Sequence, residues 1–431
     1  MVLMAELPVR RLLLKNTTIQ MVAQAVAILA GLGNSLVLSR YLGVEGFGRV
    51  SYIFAFYYFF LNLNDFGVNS IVLREVTRRN DRADEIFGAM LTFKVGFSLV
   101  LLLCAWLVTW LMQPTVELRN ALWLYGLVLP LLAWQLPAVI FQVHLHAERP
   151  ALINMFNRVL GFVLILAAVL MGRSLLAVVA ALVLTELISL ALLLSLTKSW
   201  VRPVWRFAPH WWSEILRSSV PLGLAGLCTA VINRVDFVML ERMTNLHQLG
   251  LYSAAYKVTN LLDSFPLILM GTIYPLMSRW AKDDPDRLRR LYSRSIAFLG
   301  LVGIALGAMV TAGAYWIVLL VFGSEFLETV PALRVLVWST VAMYLAITSG
   351  NLLISMGRER INLLLNFCGA VLNVALNFWF IPAWGFVGAA WATTITFVFV
   401  LVGVSVASAW ALRSAAPREA IVQIDGSHAP A

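Results

Sequence analysis

The sequence is poor in charge, cysteine and histidine, and each shortage excludes something. Charged residues fill 13% of the 431 positions while 61% are hydrophobic. A soluble protein carries about a quarter of its residues charged, so most of this chain belongs in lipid. The three cysteines, Cys104, Cys228 and Cys368, lie far apart in apolar runs without C-x-x-C spacing. That excludes a disulfide framework and a thiolate metal site and leaves them as small core residues. His144 and His146 stand two apart, so on a helix they face different sides and make a poor metal pair. There is no phosphate-binding G-x-x-x-x-G-K-[ST] loop, which excludes an ATP-driven pump within this chain. The longest connection between apolar runs, 198–213, leaves no room for a soluble catalytic domain. No cofactor and no metal are expected.

What is there is a series of apolar runs of bilayer length, about 20 residues each. They predict an all-α integral membrane protein with about twelve spans: 16–39, 47–73, 87–112, 119–145, 150–171, 174–197, 214–240, 249–278, 290–322, 329–356, 361–381 and 385–412. The basic start (Arg10, Arg11, Lys15) lacks a small-residue cleavage site, so it leads into an uncleaved first helix. The net charge of +10 suits nucleic acid on paper, but no soluble basic domain carries it. Loops on the side of the N-terminus hold most of the lysines and arginines. The opposite side holds Arg40, Arg119, Arg173 and Arg242. That asymmetry predicts both termini in the cytoplasm.

The chain divides near residue 205. The expected parts are an N-terminal six-helix lobe (1–198), an interfacial cytoplasmic linker (199–213), a C-terminal six-helix lobe (214–412) and a disordered cytoplasmic tail (413–431). The linker interleaves Trp200, Trp205, Trp211 and Trp212 with Arg202, Arg206 and His210, a composition suited to the membrane surface. An offset of 202 residues superposes Leu38 on Leu240, Arg40 on Arg242, Gly48 on Gly250 and Ser51 on Ser253. Internal duplication in a membrane protein points to a transporter whose halves move about a shared site.

Charges inside the spans are the functional candidates, because each basic or aspartate charge costs about 2.5–3.5 kcal/mol at a helix centre on insertion scales. Lys94 and Arg158 lie roughly 10–12 Å in from the cytoplasmic side, and Arg234 and Lys257 about 9–12 Å in from the outside. Asp65, Glu186, Asp236 and Asp263 accompany them. On the second span Tyr58, Asn62, Asp65 and Asn69 share one face. On the eighth, Ser253, Tyr256, Asn260 and Asp263 form a similar stripe beside Lys257. Equivalent polar faces on equivalent helices predict one water-filled space, with Pro266 and Pro275 as bends in the eighth helix. The competing reading is that the charges pair and glue helices together, and it holds equally for Asp236, two residues from Arg234. A cavity with arginine and lysine at different depths suits an anion such as a diphosphate. Acids in such a place can carry H+ or Na+, which makes Asp65 and Asp263 coupling candidates. Asp284-Pro285-Asp286 reads either as a metal-binding D-x-D or, more simply, as a helix-capping turn.

SRYLGVEGFG at 39–48, DFGVNSIVLRE at 65–75, RVDFVML at 234–240, GLYSAAYKV at 250–258, FGSEF at 322–326 and GFVGAAWAT at 385–393 resemble the polysaccharide-flippase (Wzx-like) branch of the MOP superfamily. The likeness runs over residues 10–410. It implies two pseudo-symmetric six-helix lobes around a lumen lined chiefly by helices 1, 2, 7 and 8. It implies movement of a polyprenyl-diphosphate-linked oligosaccharide from the inner to the outer leaflet of the bacterial inner membrane, with Asp65, Arg234, Asp236, Lys257 and Asp263 in the lumen. Helices 3 and 5, which carry Lys94 and Arg158, are supporting helices in that arrangement. The lipid II flippases of the same superfamily usually have two further helices, so twelve fits the oligosaccharide branch. Polysaccharide-assembly proteins are the implied partners, beside the bilayer and a coupling ion.

Three other functions compete. A MATE-like drug or cation exporter predicts acids and aromatics in the lumen, against which the basic residues of helices 7 and 8 weigh. A membrane polymerase or ligase needs a large outer catalytic loop. A membrane scaffold needs no symmetric polar stripes.

Overall fold

The structure, a computed structural model, describes residues 2–414 apart from 145, 147, 173, 199 and 201–204, with side chains from residue 19 onward except at Asn80. The tail beyond Ser414, the linker positions Arg202 and Pro203, Arg173, and the side chains of Arg10, Arg11 and Lys15 lie outside the described residues.

Ten helical stretches among the described residues are long and apolar enough to cross a membrane. Two of them are too long for one crossing. Ile19–Arg78 has 60 residues and Glu359–Ser414 has 56. At 1.5 Å per residue these would extend roughly 90 and 84 Å, against a hydrocarbon core of about 30 Å. Each therefore holds two spans, giving about twelve, and the protein is a multi-pass membrane protein.

The helices are α1 (Val2–Asp65), α2 (Val68–Arg78), α3 (Ala83–Met112), α4 (Val116–Gly126), α5 (Val128–Ala133), α6 (Val139–Val143) and α7 (Glu148–Leu170). They continue as α8 (Leu175–Thr197), α9 (Pro209–Met243), α10 (Leu246–Leu262), α11 (Ser264–Asp283), α12 (Pro285–Val321), α13 (Val330–Ser355) and α14 (Glu359–Ser414). Glycine makes the two internal turns. Gly43 in α1 (φ 65°) and Gly385 in α14 (φ 57°) adopt backbone angles that a side chain would resist. At Gly385 the chain doubles back. Asn373 donates to Thr396 Oγ1 at 3.2 Å, a pair that a straight helix would hold about 35 Å apart. A Cβ on Gly388 would collide with the Phe380 carbonyl oxygen.

Proline cuts the predicted span 119–145 into pieces. Pro130 has no N–H for the carbonyl of Gly126, where α4 ends, and Pro137 has none for Ala133, where α5 ends. Asp284 caps α12, accepting the Arg287 N–H at 2.9 Å, so the D-P-D run is a capping turn. The cysteines are not core residues: Cys104 and Cys368 are exposed on their helices and Cys228 is half-buried. In a wholly apolar helix hydrophobicity does not say which face packs.

The chain forms two compact units, Met1–Ala254 with Trp316–Thr329, and Ala255–Tyr315 with Val330–Ala431. In the first, residues of α2, α3, α6 and α8 pack around Trp211 and Ile215 of α9. Trp211 is buried, and the Trp212 indole donates to Ala89 O at 2.8 Å. Trp200 lies against both His144 and His146, at 4.6 and 5.6 Å between ring centroids. In the second unit the α14 hairpin packs on α13, with Thr394 donating to Val335 O at 3.2 Å and Ser408 to Ser349 O at 3.1 Å.

Candidate functional site

Both polar-striped helices are interrupted at their aspartates. In the first unit α1 ends at Asp65, and Phe66 (φ 40°) and Gly67 (φ 75°) turn the backbone before α2 begins. This knuckle nests on α9: a Cβ on Gly67 would lie 2.7 Å from Leu222 Cβ, and one on Gly223 would lie 2.5 Å from the Phe66 ring. In the second unit α10 ends at Leu262, and α11 starts after Asp263. Pro266 supplies no N–H to the Leu262 carbonyl, which instead accepts the Tyr344 hydroxyl at 2.7 Å. The break thus falls one turn before the proline, while Pro275 stays inside α11. Interrupted helices in membrane transporters leave backbone groups and side chains available to cargo or ions.

The first unit gathers most of the predicted residues in three groups. At the knuckle, Lys94 of α3 reaches Asn69 Oδ1 at 2.9 Å and Asp65 Oδ1 at 3.4 Å. The lysine side chain is 3% exposed and the aspartate 46%, so the acid faces open space with the cation behind it. On α9, the Arg234 guanidinium lies over Tyr58 at 5.4 Å and Phe237 at 4.9 Å. Stacking fixes the plane of a fork of donors suited to phosphate oxygens. Asn62, on the same face as Tyr58, donates to its carbonyl at 2.7 Å. The third group is on α7 and α8, where Glu186 is hydrogen-bonded by Gln135 at 3.4 Å and by Asn157, with the charge of Arg158 nearby. Arg158 itself is exposed.

Asp236 is fully buried. The Tyr252 hydroxyl donates to its Oδ2, and the Phe237 N–H donates to Oδ1 at 2.9 Å. The second unit carries Lys257, Asn260 and Asp263, all half-buried. Thr340 donates to Asp263 Oδ1 at 3.2 Å. Arg49 pairs with Glu45 at 2.8 Å and Glu117 at 2.7 Å. Sequence reasoning missed Tyr252, Gln135, Asn157 and Thr340. Tyr252 stands in the GLYSAAYKV motif and was legible as a polar tip in an apolar run. The other three carry no local signal.

Solved structures similar to this one are transporters. The lipid II flippase MurJ, in an inward closed conformation, has a TM-score of 0.79 at 12% identity, covering 92% of this chain and 89% of that one. An inward-facing multidrug resistance MATE family transporter of the MOP superfamily has a TM-score of 0.70 at 16% identity, covering 92% and 98%. These likenesses show the fold, that of the MOP superfamily. Over 166 residues the chain is 26% identical to the probable low-salt glycan biosynthesis flippase Agl15 of Haloferax volcanii, covering 38% of this chain. The match spans about a third of that relative's length (35%), and the same holds for an uncharacterised membrane protein of Methanocaldococcus jannaschii (36%). The sequence pattern of the MatE family matches residues 221–379. That of the family described as polysaccharide biosynthesis protein matches residues 13–281, well over half of the sequence, and the chain belongs to that family.

Proposed function

We propose that this protein flips a polyprenyl-diphosphate-linked oligosaccharide from the inner to the outer leaflet of a bacterial inner membrane by alternating access, with both termini in the cytoplasm. The observation that carries the reading is the Arg234 guanidinium stacked over Tyr58 and Phe237 within a membrane span. A cation held in lipid at this cost serves an anion, and a diphosphate offers paired oxygens to its donors. The family membership and the glycan flippase of Haloferax volcanii support the same substrate class. In this reading Arg234, Lys257, Asn260 and Asn62 contact the headgroup, and Lys94 and Arg158 assist from the supporting helices. Asp65 and Asp263, each at a helix break, are the candidates to couple H+ or Na+. Asp236 and Glu186 brace the helices. The lobes 1–198 and 214–412 are the moving halves, and polysaccharide-assembly proteins receive the product.

The test is translocation of a fluorescent polyprenyl-diphosphate glycan in proteoliposomes. Wild type is expected to flip it, and Arg234→Ala to lose most of that activity while inserting normally. A normal rate in an Arg234→Ala, Lys257→Ala double variant would refute the diphosphate grip. The MatE match favours a second reading, an exporter. Wild type that extrudes a cationic dye and leaves the glycan in place would establish it.

A further inference from the structure

The 202-residue offset reappears in the first unit as two reciprocal contacts. A Cβ on Gly48 would collide with the Leu246 carbonyl oxygen and lie 3.0 Å from the Gly250 nitrogen. A Cβ on Gly250 would collide with the Val44 carbonyl oxygen and lie 2.9 Å from its carbon. Val44 corresponds to Leu246 and Gly48 to Gly250 under the same shift. Each repeat therefore lays its glycine on the other repeat's first-turn carbonyl, and the two backbones approach directly, with the Val44 side chain beside the contact.

The arginines of the repeat cross over in the same way. Arg40 Nη2 donates to Leu320 O at 2.8 Å, in the last turn of α12. Arg242 donates to Met112 O, the last residue of α3, at 3.4 Å from Nη1 and 3.3 Å from Nη2. Each caps a carbonyl end left open by the third long helix of the opposite half, where the helix dipole favours a cation. Phe47 closes over Phe322 at 6.1 Å and Phe326 at 5.9 Å, and Thr329 donates to Leu251 O at 3.0 Å.

The cytoplasmic start of α9 is held differently. Trp211 is sunk in the apolar cluster of the first unit, and Arg79 pairs with Glu214 at 2.8 Å while lying over Trp211 at 5.2 Å. Between these ends α9 contains Pro221, beside the Gly223 contact with the Phe66–Gly67 knuckle. One end of α9 is core, the other is a crossed contact between repeats, and the proline that permits bending lies between them.

We propose that the reciprocal contact is the outer gate: a two-fold clasp, closed by glycine-mediated backbone approach and by two arginines capping opposite helix ends. It parts by bending of α9 near Pro221 when an anionic lipid-linked headgroup is released. This rests on the alternating-access reading, but its test needs no glycan. The chain, with its three cysteines replaced by serine, carries Asn62→Cys on α1 as a reporter beneath the clasp. A membrane-impermeant thiol reagent is added from the outer side. Labelling is expected to be slow in this parent. Gly48→Ala or Gly250→Ala, each of which overpacks the contact, should speed it roughly tenfold. Arg40→Ala with Arg242→Ala, which adds no atoms, should also speed it. Gly31→Ala, whose Cβ meets nothing within 4 Å, should leave it unchanged. If neither the glycine nor the arginine variants change the rate, the clasp is not the gate. Should either glycine variant fail to fold, the arginine pair decides alone. Faster labelling in these variants, beside a wild-type chain with Asn62 intact that moves no glycan, would keep the gate and overturn the substrate.

Discussion

The Asp65–Lys94 pair makes a directional prediction. Its partners are unequally buried, with side chains 3% exposed for Lys94 and 46% for Asp65. Removing one partner of a buried pair costs about 3–5 kcal/mol, because the other charge is stranded without solvent. Asp65→Asn removes the counter-charge and leaves the buried ammonium with neutral acceptors alone, the new amide oxygen and the Asn69 oxygen at 2.9 Å, so its cost lies in that range. Lys94→Met strands a carboxylate whose side chain is 46% accessible, on the side where the polar stripe is expected to line a water-filled space. Its cost should approach that of an exposed pair, about 1 kcal/mol or less. The Asp65→Asn, Lys94→Met double variant removes the stranded charge, and a coupling of about 2 kcal/mol should recover about 1–2 kcal/mol of the loss. Purified wild type, both single variants and the double variant would be compared by thermal unfolding in one detergent, with the ranking of melting temperatures as the readout. The expected order is wild type, Lys94→Met, the double variant, and Asp65→Asn last. If Lys94→Met is as damaging as Asp65→Asn, or the double variant no better than Asp65→Asn, the argument from unequal burial fails.

Gly388→Ala should force apart the two limbs of the α14 hairpin, because the new methyl also sits 2.6 Å from the Phe380 carbonyl carbon; a loss of about 1–3 kcal/mol is expected, read as a lower melting temperature that Gly96→Ala, which meets nothing within 4 Å, does not share. Asp284→Ala removes the acceptor at the start of α12 and should cost about 1 kcal/mol, whereas Asp284→Asn, which keeps an acceptor oxygen, should restore most of it in the same melt.

The membrane class and the number of spans were legible because both are written in apolar run length. The polar stripe of the second helix was legible from its 4-3-4 spacing, and Asn69 and Asp65 do meet Lys94 there. The place of the breaks was less so. Proline acts on the carbonyl four residues before it, so Pro266 interrupts the helix at Leu262 and Asp263 rather than at itself. The Phe66–Gly67 knuckle has no proline and is held by tertiary packing against Gly223, which no local pattern records. The repeat was visible as four identities, but the sequence did not say that its glycines and arginines cross over. Nor could it place Trp211, which composition assigns to the membrane surface and the structure buries in the first unit.

The doubled-back α14 bears on how the chain is made. Asn373 and Asn377 are fully buried in the first limb and Thr396 in the second. Asn377 donates to Asn373 at 3.0 Å, and Asn373 donates to Thr396. Amides left without partners in hydrocarbon cost free energy that the first limb cannot recover alone. Until the second limb has emerged from the ribosome, the first is a poor passenger for lateral release into lipid. Residues 359–414 therefore enter the bilayer as a pair. A stop codon between the limbs would leave a nascent chain that lingers at the insertion machinery and is cleared by quality-control proteolysis.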